Sequence, residues 1–276
     1  MLRIIFSIVF CISTFAQTNP LKSDLNRKLF ADYLYCEQDY LRAAEEYESL
    51  AKTFVSDTIL YKIGKSYSII GDYSKAINSF NLIPDSSEMF FNSKLEQAKI
   101  FYLTSEKDLL VNLLASNNFS SPELKKLLIA FYLKMNQLDS ISNDLFQLSD
   151  EDVFTFKNFY ERRKNPPYKS EALAGILSSI VPGAGKIYTK EYGDGITAFI
   201  LTGMFSYLAY NNFKHARNFR AYLFSGLAAG FYLGNIYGSV ASAQIFNAKI
   251  DFNFLKELSD YLSNKNYFIN EIEFCK

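Results

Sequence analysis

The chain has 276 residues, and its 29 basic and 29 acidic side chains cancel. It therefore has no single-signed field to draw it to nucleic acid, and that class of partner is set aside. One histidine, His215, and no tryptophan leave too little for the acid–base pairs and ligand clusters of most enzymes, so the chain is read as non-enzymatic, with no cofactor, metal or catalytic residue.

In chain order, Met1 to Ala16 has Arg3 ahead of an apolar run, Ile4 to Phe15, and a small-residue ending at Thr14-Phe15-Ala16. This is the pattern of a secretory signal peptide over 1–16. Beyond it lie Cys36 and Cys275. A bridge is permitted in an oxidising compartment, but two unpaired thiols are the preferred reading, because nothing in the sequence brings their α-carbons within bridging range.

Residues 24–164 read as a helical repeat domain. Tyr40, Ala43 and Tyr47 recur as Tyr73, Ala76 and Phe80, each 33 residues on, and Leu110 and Leu114 follow Ala76 and Phe80 by 34. A period of this size marks helix pairs. Small Gly64 and Ala76 sit where two helices approach, Tyr67 and Phe80 fill the space beside them, and Gly71-Asp72 supplies the turn. The units run from about Asp24 to Ser56, through the segment holding these residues, and from about Phe91 to Leu124. A fourth begins at Ser121-Pro122-Glu123, a side-chain cap with proline in the first turn. Asp150 to Arg163 reads as one more amphipathic helix, with Val153, Phe156 and Tyr160 on one side, closing the array. On such a pattern Asp32, Tyr35, Tyr61, Lys65, Lys99 and Tyr102 line a concave face able to hold an extended peptide, with Lys65 and Lys99 solvated at one repeat position.

Asn165-Pro166-Pro167 interrupts helix propagation. A membrane module is expected over 170–247: an interfacial helix at 171–181 and spans at about 195–213 and 221–244, both free of charge for about the length of a bilayer core. Between them Lys214, Arg217 and Arg220 face no acid, which places that loop in the cytoplasm and the repeats and C-terminus in the periplasm. The turn at Pro182, Gly183, Gly185, Lys186 and Tyr188 is expected at headgroup depth, with Asp194 stabilised by the first turn of the span. Gly226, Gly230, Gly234 and Gly238 recur every fourth residue and form a stripe for close packing, against the first span near Gly203, Ser206 and Tyr210 or against a second copy. Asn235 is expected to bond the backbone or Tyr207. Residues 248–276 read as an amphipathic helix followed by a loosely structured tail.

The repeat residues Gly64, Tyr67, Gly71, Tyr73, Ala76 and Phe80 resemble the packing positions of a tetratricopeptide repeat. The later Pro-Gly-x-Gly-x-x-Tyr segment followed by Tyr192-Gly193-Asp194-Gly195 is similar to a small membrane module of uncharacterised bacterial envelope proteins, some linked to the membrane-protein insertion efficiency factor. Together these imply an all-α protein: a tetratricopeptide-like solenoid followed by a transmembrane hairpin at the bacterial inner membrane. Its expected function is a scaffold that binds a protein or peptide partner in envelope or membrane-protein assembly, with a small transport or channel accessory subunit as the alternative.

Overall fold

The computed structural model describes residues 23–115, 121–141, 152–268 and 272–275; the signal-peptide assignment lies outside them. Among the described residues the chain is helix and turn, with no strand. It divides into two compact units, one of residues 1–128 with 268–276 and one of residues 129–267.

The first unit is built from consecutive helices, each resting on the next. They are α1 (Asp24–Cys36), α2 (Tyr40–Ala51), α3 (Asp57–Ile70), α4 (Tyr73–Asn81), α5 (Phe90–Thr104) and α6 (Lys107–Ala115). Short turns between contacting helices make α1–α2 and α3–α4 antiparallel hairpins. Their starts are set locally in the same way. Asp39 accepts from the Arg42 N–H and Asp72 from the Lys75 N–H, 33 residues later, each satisfying a donor that the helix leaves open. Ala43 and Ala76 are fully buried, as are Tyr47 and Phe80. Gly71 ends α3 at a φ of +84°, a conformation that suits glycine. At Gly64 the helices meet so closely that an added Cβ would lie 2.5 Å from the Phe80 ring.

The tail also belongs to this unit. Ile272 and Phe274 pack against the core formed by α1–α4, and Cys36 is joined to Cys275 with Cα atoms 5.6 Å apart. The expectations of unpaired thiols and of a loose tail are thus corrected. The contact that orders the tail links positions 239 residues apart in sequence, and no local pattern encodes it.

A further helix, α7 (Pro122–Lys134), contains the boundary between the units. The second unit continues with α8 (Asp152–Lys164), α9 (Glu171–Ile180), α10 (Ala184–Tyr188), α11 (Tyr192–Lys214) and α12 (Asn218–Asn264). α12 is continuous over 47 residues, roughly 70 Å at the usual rise. Residues 244–248, where a break was expected, contain neither Gly nor Pro to end it. The apolar side of α8 closes on the far part of α12, with Phe156 against Tyr261 and Phe159 against Phe254 and Tyr261. Arg163 donates to Asp251 at 2.6 Å. This helix therefore turns Phe156 and Phe159 to α12.

No helix among the described residues is long and apolar enough to cross a membrane. That finding overturns both expected spans and the inner-membrane placement, with its periplasmic repeats and cytoplasmic loop. The physical reason is composition. The stretches are free of charge but not of polarity: Thr197, Thr202, Ser206, Tyr207, Tyr210 and Asn211 punctuate the first, and Ser225, Tyr232, Asn235, Tyr237 and Ser239 the second.

Candidate functional site

Two of the residues expected on the concave face, Tyr35 and Tyr61, meet the tail, together with Lys62, which is not among them. The Phe274 ring lies edge-on to Tyr35 at 6.1 Å and tilted against Tyr61 at 5.9 Å, and the Lys62 Nζ sits 4.6 Å from its centroid, within cation–π range. Lys62 also donates to Asp32 at 2.5 Å, and Asp32 accepts from Tyr47 Oη at 2.6 Å and from Lys28 at 2.7 Å. Asp32 is thus the hub that fixes the cation over the tail's aromatic ring. Burial pushes its carboxyl pKa up, but hydrogen bonds from Lys28, Lys62 and Tyr47 outweigh this and hold it below the ordinary 3.8. Burial, and then the hydrogen bond to Asp32, raise the Tyr47 phenol well above its usual value.

Lys65 and Lys99 are placed differently from expectation. Both donate to Glu96, at 3.0 and 2.9 Å, and Lys99 is only 6% exposed. They are not a solvated ladder: a carboxylate that is itself 3% exposed draws them inward, since buried charges need partners. Glu96 was missed in the sequence; its signal is the spacing of three to Lys99. Tyr102 is buried.

Asp32 makes a specific prediction. Its folded pKa is depressed, so its contribution is full above the unfolded value near 3.8 and is lost as pH falls below that. Asp32→Asn is expected to lower stability at pH 7 by about 1.5–3 kcal/mol, the range for hydrogen bonds to a charged group. The gap from wild type should narrow below about pH 4. Urea unfolding followed by circular dichroism at pH 7 and pH 3 checks this, and a gap independent of pH would contradict it.

In the second unit, the residues expected at a membrane interface form a polar knot among helices. Gly183 has a φ of +87°, and an added Cβ would lie 1.9 Å from the Gly195 carbonyl oxygen. Its N–H donates to Asn235 Oδ1 at 3.1 Å. The Gly185 N–H donates to Ser178 Oγ, which also bonds Ser239 Oγ at 2.6 Å. Tyr188 Oη accepts from the Ser170 N–H, and the Lys169 Nζ lies over its ring. Pro182 precedes this turn half-buried. Asn235 is therefore tied to the turn and not to Tyr207, which is exposed.

The glycine stripe is corrected too. α11 and α12 pack through Phe205, stacked on Phe224 and Phe231. Among the described residues, a Cβ added at Gly226, Gly230 or Gly234 would meet nothing within 4 Å, and the same holds at Gly203. Towards α11 the stripe makes no close crossing and is instead one wall of an open cleft of about 470 Å³ between α11 and α12. At Gly238 an added Cβ would lie 3.3 Å from the Lys186 Cε, so the last glycine of the stripe gives room to that side chain. Lys186 reaches to 3.7 Å from Asp194, whose side chain is 72% exposed.

No family model and no solved structure matches the chain. It is 34% identical over 70 residues to the uncharacterized protein MJ1516 of Methanocaldococcus jannaschii, a match covering 24% of this chain and 67% of the archaeal one. The resemblance to tetratricopeptide-repeat proteins bearing a two-span membrane module is accordingly overturned, by the absence of a matching family model and of any described helix able to cross a membrane.

Proposed function

We propose that this chain, which over the matched quarter of its length belongs to the same family as that archaeal protein, is a non-enzymatic helical scaffold. Its hairpins stack as a short solenoid, and the inner face of the first unit binds an extended segment of a protein partner. The observation that supports this reading is the seat of the chain's own tail: Phe274 against Tyr35, Tyr61 and Lys62. A surface that accepts one non-helical segment through an aromatic slot and a cation suits another of the same chemistry. The partner segment is therefore extended and carries a phenylalanine or tyrosine.

A tethered tail competes at high effective concentration, so the slot is closed to outsiders while the disulfide holds. The test uses the full chain and a fluorescein-labelled peptide copying residues 270–276, with Ser in place of Cys. Fluorescence anisotropy should show binding to the Phe274→Ala/Cys275→Ser chain at least about tenfold tighter than to the oxidised wild type. Adding Tyr61→Ala should remove it. Equal binding to all three chains would overturn the reading.

A further inference from the structure

The cleft between α11 and α12 has features that the packing of the second unit does not use. Ala198 and Leu201 line it from α11, and Leu227 and Phe231 from α12. Gly226, Gly230 and Gly234 form a wall with no side chain in the way. Its volume, about 470 Å³, falls among those of small-molecule sites. A row of small residues alone says little, since glycine is also found where nothing binds.

The second observation is Asn235. It lines the cleft and is only 4% exposed. Its orientation is fixed chemically, because the Gly183 N–H needs an acceptor and must face Oδ1. That leaves Nδ2 as a buried donor with no partner among the described residues. Such a group is destabilising unless something accepts from it. Lys186 lines the same cleft, and its counter-charge is the exposed Asp194 at 3.7 Å, a loose pairing that Asp194 can leave for water. One polar pole with an unmet donor and a cation thus adjoins an apolar trough.

We propose that this cleft binds a single-chain amphiphile with a terminal carboxylate. The hydrocarbon chain lies along the glycine wall between Leu201 and Phe231, and the carboxylate accepts a hydrogen bond from Asn235 Nδ2 and replaces Asp194 as the partner of Lys186. A helix laid in the trough fits less well, because its own carbonyls are already bonded and it brings no acceptor to Asn235. The inference is independent of the reading of the first unit.

The test is isothermal titration calorimetry of the full oxidised chain with dodecanoate and decanoate below their micelle concentrations and dodecan-1-ol below its solubility limit. Dodecanoate is expected to bind one site, with decanoate roughly tenfold weaker for two fewer buried methylenes. Lys186→Met should weaken dodecanoate about tenfold, the scale of one charge-assisted bond, and leave dodecan-1-ol unchanged. Gly230→Leu fills the trough and should abolish binding. It should leave the melting temperature unchanged or raised, because the new Cβ meets open space and leucine is the better helix former. Phe199, Ile200 and Leu233 expose further apolar surface, so Gly230→Leu also separates the cleft from general adsorption. Undiminished dodecanoate binding by Gly230→Leu overturns the proposal. So does equal affinity for acid and alcohol in wild type. If wild type takes no dodecanoate but sediments as a dimer that Gly230→Leu dissociates, the trough seats a second copy and the proposal fails.

Discussion

Phe80→Ala is expected to lower the stability of the first unit by about 3–5 kcal/mol, the range for deleting a large buried aromatic side chain. Phe80 is fully buried, touches the Tyr61 ring at 5.7 Å between centroids, and closes over Gly64. The same contact fixes the sign of a second substitution. In wild type, Gly64→Ala drives a methyl group into the Phe80 ring, with contacts of 2.5 to 2.8 Å, and overpacking of this kind costs about 1–3 kcal/mol. The gain in helix propensity, about 1 kcal/mol, does not offset it. Once Phe80 is alanine, the obstruction is gone and Gly64→Ala should become stabilising. Denaturant unfolding of the four chains gives the coupling directly. An identical effect of Gly64→Ala in both backgrounds would show that the helices do not meet at this pair.

Cys275→Ser is expected to destabilise the first unit by about 2–5 kcal/mol, the usual range for a native bridge in a small domain. The bridge joins the end of α1 to the tail across 239 positions, so its loss frees a long loop in the unfolded chain's favour. It also removes the covalent tether that holds Phe274 beside Tyr35 and Tyr61, leaving their ring contacts alone to seat it. Because Cys36 is exposed, a reductant should reproduce the effect in wild type and add nothing to the Cys275→Ser variant. Thermal melts of both chains with and without dithiothreitol make the comparison. A wild-type melting temperature indifferent to reductant would mean that the bridge contributes no stability.

These two expectations also mark what a sequence can reveal. Ala43 with Ala76, and Tyr47 with Phe80, are legible because close helix approach leaves a pattern of small and large residues at a fixed interval. Gly64 opposite Phe80 belongs to the same pattern. The ionic hubs are not legible in this way. Lys65 and Glu96 meet across 31 residues, and a lysine at a repeated position looks the same whether it faces water or a buried acid. The tail is further out of reach, since its contacts depend on the chain returning to α1. In the second unit, freedom from charge is not apolarity, because Thr, Ser, Tyr and Asn interrupt both stretches. The glycine stripe was real as a pattern, but periodicity says only that these residues share a face. Whether that face meets a helix or a cleft depends on Phe205, which holds the two helices together elsewhere.

The reading of the first unit as a peptide-binding scaffold turns on whether the slot under Lys62 exchanges one extended segment for another. The direct measurement places a fluorinated phenylalanine at position 274 of the Cys36→Ser chain and follows its fluorine resonance as unlabelled peptide copying residues 270–276 is added. The account predicts a buried resonance that is displaced in a saturable manner to the position of a solvent-exposed ring. A resonance that stays buried at saturating peptide would mean that the tail is a fixed part of the core and that the first unit has no exchangeable peptide site there.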